Sequence, residues 1–127
     1  MNNDVPPSPA QILVVEDEDD VRTFFVRALE RLIPNGHITA AASGAEALTA
    51  IEEYTYDLII TDHRMAEMTG IDLVRTIRLQ IEDIPIVMIS ADTTIREQAQ
   101  AAGINEFFHK PVTIIQLRQI VDRWLPS

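Results

Sequence analysis

The sequence predicts an α/β protein: a five-stranded parallel sheet with five helices on both of its faces. Three observations carry this expectation. Short apolar runs alternate along the chain with stretches of helical period, the pattern of successive βαβ units. The central runs are continuously apolar, as suits strands covered on both faces. Four of them lead into polar, reactive residues: Ile12–Val15 into Glu16-Asp17, Leu58–Thr61 into Asp62, Ile86–Ile89 into Ser90, and Glu106–His109 into Lys110-Pro111. Right-handed crossovers would place helices on both sheet faces, but periodicity alone leaves the strand order open.

The elements follow in order. Residues 1–9 hold three of the seven prolines and are expected to be a flexible tail, with the folded domain spanning 10–127. The first strand is placed at about Gln11–Val15. A helix from about Asp19 to Ile33 would bury Val21, Phe24, Phe25, Ala28, Leu29 and Leu32 along one stripe. Asp19 and Asp20 suit the positive end of its dipole, and Pro34-Asn35-Gly36 ends it. His37–Ala41 is a weaker, edge-type strand. Ser43-Gly44-Ala45-Glu46 has the form of a helix cap with a glutamate three residues on, opening a helix to about Glu53. Leu58–Thr61 is the third strand, followed by a loop from Met65 to Gly70 and a helix to about Leu79. Pro85 precedes the fourth strand, and Thr93–Ala102 forms a helix that Gly103 ends. Glu106–His109 is the fifth strand. The last helix, Thr113–Trp124, would turn Ile114, Leu117, Ile120, Val121 and Trp124 inward.

Composition narrows the function. A chain of 127 residues is one domain by size. The absence of cysteine excludes disulfides and thiolate metal sites, and fits a cytoplasmic location. No signal peptide is evident, and no apolar run approaches a membrane span. A net charge of −10 disfavours nucleic acid and anionic lipid as direct partners and favours cations and basic protein surfaces.

Strand carboxyl ends share one edge of a parallel sheet, and that edge is where open α/β sheets place their chemistry. Glu16, Asp17, Asp62, Ser90 and Lys110 are therefore candidates for one pocket. Each has a plainer reading: Asp17 as a helix cap, Ser90 as a turn residue, Lys110 as a surface lysine. Their combination at four strand ends outweighs those readings. Three nearby carboxylates repel one another, and a divalent cation resolves the conflict. With only oxygen ligands on offer, the ion is a hard one such as Mg²⁺. The chain lacks GxxxxGK[ST], GxGxxG and any evident Ser-His-Asp set, and His37, His63 and His109 show no metal spacing. What is left is a carboxylate nucleophile beside a metal and a lysine, a combination that accepts phosphoryl groups.

Here the chain resembles the receiver domains of bacterial two-component response regulators, of the chemotaxis single-domain type. ILVVEDE at 12–18, LIITDHRM at 58–65, Gly70, IVMISA at 86–91 and FFHKP at 107–111 carry the resemblance over about residues 10–125. It implies the flavodoxin-like strand order 2-1-3-4-5, which is known for a chemotaxis member of this family. It implies that Asp62 is the phosphoacceptor, that Glu16, Asp17 and Asp62 bind Mg²⁺ with the backbone carbonyl of Arg64, and that Ser90 and Lys110 contact the phosphoryl group. It further implies a cis bond before Pro111, a switch made of Ser90 and Phe107, and tuning of dephosphorylation by Arg64 and Asp92. A salt bridge between those last two over the site is a further expectation. Ala66 departs from the family's common proline, and Phe107 lacks the hydroxyl of the frequent tyrosine, so it can report the switch only through packing.

The expected function is a signalling switch, not an enzyme with external turnover. A sensor histidine kinase or histidine phosphotransfer protein would donate the phosphoryl group. The surface of the fourth helix, fifth strand and fifth helix would then change to control an effector protein. Membrane insertion is not expected, and homodimerisation on activation stays open. No output domain is read after Trp124. The alternatives are a receiver excised from a larger signalling protein, a phosphorylation-independent docking module, and a Mg²⁺-dependent phosphatase. Arg64, where such phosphatases commonly carry a general acid, argues against the last.

Overall fold

The computed structural model describes residues 8–126, so the expected tail lies mostly outside the described residues. Five strands, β1 (Gln11–Val15), β2 (His37–Ala41), β3 (Leu58–Asp62), β4 (Ile86–Ser90) and β5 (Glu106–His109), pair in parallel in the order β2-β1-β3-β4-β5. The helices are α1 (Asp19–Leu32), α2 (Gly44–Glu53), α3 (Gly70–Arg78), α4 (Arg96–Ala102) and α5 (Ile114–Trp124). This is the five-stranded, five-helix architecture that the sequence predicts.

The period-2 alternation of strand side chains divides the core in two. Leu13, Val15, Ile59, Ile86, Met88 and Phe107 face α2, α3 and α4. Ile12, Val14, Leu58, Ile60, Val87 and Ile89 face α1 and α5. Both faces of β1, β3 and β4 are thus buried, which is why their sequences are continuously apolar. β2, on the sheet edge, is half-exposed and correspondingly less apolar.

Local chemistry sets the helix ends. Ser43 Oγ accepts from Glu46 N at 3.1 Å, while Glu46 Oε1 reaches back to Ala42 N at 3.0 Å, one residue before the cap. Thr69 with Asp72, and Thr113 with Gln116, form reciprocal capping boxes at α3 and α5. Gly103, at φ 120°, takes the left-handed conformation that ends α4.

Three sequence expectations need correction. Phe24 is 40% exposed, whereas Phe25, Ala28 and Leu29 are buried. The first turns of α1 reach towards the sheet's carboxyl edge, where Phe24 meets the Phe25 ring at 5.6 Å and borders an open groove with Pro111 and Val112. Ile114 is 54% exposed because Val112, just before the helix, fills the core position instead. The segment Thr93–Ala102 is not one α-helix: Thr93–Ile95 is a 3₁₀ turn, and α4 starts at Arg96. Asp92 accepts from both Thr94 N and Thr94 Oγ1, and these bonds tighten the turn.

The α1 correction has a measurable consequence. Phe25→Ala should cost about 3–5 kcal/mol in urea unfolding. Phe24→Ala, which gives up partly solvated area, should cost less than about 1.5 kcal/mol. Equal losses would contradict this assignment of the buried stripe.

Candidate functional site

Register sets which residues meet. Val15 pairs with Thr61, so Glu16 and Asp62 leave β1 and β3 at one level. Asp62 pairs with Ile89, and Ser90 with His109, which places Ser90 one step and Lys110 two steps further along the same edge. Glu16, Asp17 and Asp62 each direct a carboxylate oxygen to within 4.8 Å of the others.

All of the cluster except Asp17 is largely withdrawn from water. Glu16 is 1% exposed, Asp62 5% and Ser90 2%. The Lys110 ammonium lies 2.9 Å from Glu16 Oε1 and 3.3 Å from Asp62 Oδ2. The other oxygen of each carboxylate accepts a backbone N–H: Glu16 Oε2 from Glu18 at 3.1 Å, and Asp62 Oδ1 from His63 at 2.8 Å. Asp17 does not cap α1, since Glu18 holds the cap position and makes no side-chain cap bond. Lys110 is a half-buried, paired lysine rather than a free surface one. The Lys110–Pro111 peptide bond is cis.

Burial raises the pKa of Glu16, and the Asp62 charge adds to it against the opposing Lys110 hydrogen bond. Asp62 is likewise raised, by burial and by Asp17, against the Lys110 charge. For Lys110, burial acts downward, but the hydrogen bond to Glu16 and the two carboxylate charges outweigh it and raise the value. Two carboxylates thus share one ammonium, with the third, Asp17, close by. The excess negative charge and the all-oxygen donor set fit a hard divalent cation held by Glu16, Asp17 and Asp62.

The raised carboxyl values have a pH consequence. The metal-free folded protein binds protons at Glu16 and Asp62 more tightly than the unfolded chain does. Their contribution is therefore favourable at low pH and fades as pH rises through the raised values. A cation that shields the ionised pair offsets that loss. Mg²⁺ should accordingly raise the melting temperature more at about pH 7 than at about pH 4. Equal gains in thermal scans at both pH values would contradict it.

The remaining candidates border the pocket. Ser90 Oγ accepts from Asp92 N at 3.0 Å, so in this state it holds the turn before α4. Arg64 Nη2 lies 3.8 Å from Asp92 Oδ2, the pairing expected from sequence, although the Arg64 side chain is 81% exposed. Hydrogen bonds from Thr94 hold the Asp92 pKa below the usual range. The Phe107 ring is already inside the core, with the Arg96 guanidinium 5.0 Å above its centre.

Two residues have roles at the site that the sequence reading did not assign. Gly70 donates its N–H to His63 O at 2.8 Å, and a Cβ there would lie 2.2 Å from Asp62 O. Arg22 bonds the carbonyls of both Glu16 and Asp17. Gly70 is one of the residues that carry the family resemblance, but its close approach to the Asp62 carbonyl leaves no mark in the sequence. Arg22 is one of ten basic residues and bears no mark of its role.

Known proteins resemble this chain in sequence and fold. The chain is 33% identical over 118 residues to chemotaxis protein CheY-3 of Vibrio cholerae serotype O1, covering 89% of each. Its fold matches the chemotaxis response regulator CheY4 of Vibrio cholerae at TM-score 0.84 and 28% identity, over 92% of this chain and 99% of that one. It matches the receiver domain of a sensor histidine kinase from Pseudomonas aeruginosa PAO1 at TM-score 0.84 and 31% identity, over 94% and 99% of the two chains. That structure has a magnesium ion coordinated in its active-site cleft. The family model described as the response regulator receiver domain covers residues 12–122, and the chain belongs to this family of two-component signalling domains.

Proposed function

We propose that the chain is a phosphoacceptor switch in which Asp62 takes a phosphoryl group from the phosphohistidine of a sensor histidine kinase or phosphotransfer protein. The observation that carries this reading is the buried Asp62 carboxylate, with one oxygen beside Lys110 and two further carboxylates within reach. An Asp62 oxygen attacks phosphorus, the histidine N–P bond breaks, and an acyl phosphate forms on Asp62. The Lys110 ammonium pairs with the phosphoryl oxygens as negative charge gathers there. Glu16, Asp17 and Asp62, with the Arg64 carbonyl, would hold Mg²⁺, which would supply further neutralisation of that charge. The family relationship and the receiver neighbour that coordinates magnesium support this choice of ion.

Ser90 links the site to the surface. Turning its hydroxyl to donate to a phosphoryl oxygen takes its acceptor away from Asp92 N–H. The turn before α4 loosens, the packing of Phe107 shifts, and the face made by α4, β5 and α5 changes for an effector protein. Two packings of one fold exchange population. The protein acts in the cytoplasm as a chemotaxis-type regulator, and activation-linked dimerisation would be read by gel filtration with a phosphoryl mimic.

The test is labelling by a small acyl phosphate with and without Mg²⁺, followed by peptide mass spectrometry. Mg²⁺-dependent modification at Asp62 is the expected result; modification elsewhere, or none, overturns the proposal. The exposed Arg64–Asp92 pair should contribute little stability. Over the site it should instead set access of water to the acyl phosphate, so Arg64→Ala or Asp92→Ala should change the phosphoryl lifetime. Unchanged lifetimes in both variants would remove that role.

A further inference from the structure

The loop between β1 and α1 carries two of the three carboxylates, and one side chain holds its backbone. Arg22, on α1, donates from Nη1 to the Glu16 carbonyl at 3.0 Å and to the Asp17 carbonyl at 3.4 Å. Its Nη2 bonds Asp19 Oδ1 at 2.6 Å, which anchors the guanidinium to the helix. The Arg22 side chain is 22% exposed, so the contact is partly shielded from water. Arg22 reaches backbone oxygens, not the carboxylates that face the pocket.

The two acids depend on this backbone to different degrees. Glu16 has both carboxylate oxygens held, by Lys110 and by Glu18 N–H. The Asp17 carboxylate has no hydrogen-bond partner among the described residues, so its direction follows from its peptide planes. Both of those planes, 16–17 and 17–18, carry a carbonyl that Arg22 binds.

We propose that Arg22 is a positioning residue for the divalent-cation site: by fixing the Glu16 and Asp17 carbonyls it makes the Asp17 carboxylate converge with those of Glu16 and Asp62. The proposal rests on the receiver reading above. Its electrostatic and geometric consequences have opposite signs. A guanidinium near the site repels a divalent cation, so charge removal alone would tighten binding. Loss of the carbonyl bridge would loosen it. Lysine keeps the charge but lacks the planar fork of donors that spans two carbonyls and a carboxylate.

The test is titration calorimetry of Mg²⁺ into the full chain, Arg22→Gln and Arg22→Lys, with thermal melts in metal-free buffer to establish that each variant is folded. Both variants should bind Mg²⁺ roughly 10-fold more weakly, as is typical when a group that orients metal ligands is lost. Unchanged or tighter binding by Arg22→Gln would show a charge effect only and overturn the proposal. Full rescue by Arg22→Lys would overturn it equally, and Arg22→Lys decides the matter if Arg22→Gln does not fold. Failure of the parent chain itself to bind Mg²⁺ would overturn the metal assignment and this inference together.

Discussion

Asp62→Asn should abolish Mg²⁺-dependent labelling by an acyl phosphate while raising the melting temperature in metal-free buffer. The two effects have separate causes. An amide oxygen is too poor a nucleophile to form the acyl phosphate, so labelling should fall to background. The same change removes a buried charge whose pKa is raised by burial and by Asp17. Lys110 keeps its closer partner, Glu16 Oε1 at 2.9 Å, and is not left unpaired. The proposed site for a metal and a phosphoryl group is thus assembled at some cost to the resting fold. Persistent labelling of Asp62→Asn would remove the nucleophile assignment. A lower metal-free melting temperature would show instead that the Asp62–Lys110 attraction exceeds the cost of burying the charge.

Gly70→Ala should destabilise the protein by about 3 kcal/mol or more in urea unfolding and slow phosphoryl labelling, because overpacking here cannot relax. The added Cβ would sit 2.2 Å from the Asp62 carbonyl and 2.8 Å from His63 Cα. Both are backbone atoms at the carboxyl end of β3, so making room means moving the strand end that carries Asp62, the proposed nucleophile. Gly44→Ala is the control. Its Cβ would approach Met68 Sδ at 2.6 Å, the flexible part of a thioether side chain that can swing aside. Gly44 also opens α2, where alanine is the better helix former, so its loss should stay within about 1 kcal/mol. Similar losses at both positions would contradict the close-approach account of Gly70.

Much of the fold was legible because burial on both faces leaves a direct mark. β1, β3 and β4 read as unbroken apolar runs, and β2 as a weaker edge strand, because their exposure differs in that way. A helix start was legible where the capping group is local, as at Ser43. The strands' polar ends, Glu16-Asp17, Asp62, Ser90 and Lys110, identified the site because parallel strands deliver their carboxyl ends to one edge. The strand order came from the family resemblance, since β1 lies between β2 and β3, a pairing between residues distant in sequence that no periodicity encodes.

The errors share a physical origin. Phe24 and Ile114 sit at correct helical spacing yet lie outside the core, because periodicity gives a helix its apolar face but not how far that face extends beyond the sheet. The split of Thr93–Ala102 into a 3₁₀ turn and α4 came from side-chain bonds of Asp92 that compete with helix geometry. The sequence by itself determined the elements, the two buried faces and the chemical types gathered at one edge, since each depends on neighbours within a few residues. Only the tertiary structure decided that Lys110 lies between Glu16 and Asp62, that Gly70 must lack a side chain beneath the Asp62 carbonyl, and that Arg22 holds the acidic loop. Those contacts depend on register and crossover geometry, which bring together groups up to 94 positions apart and leave no local pattern behind.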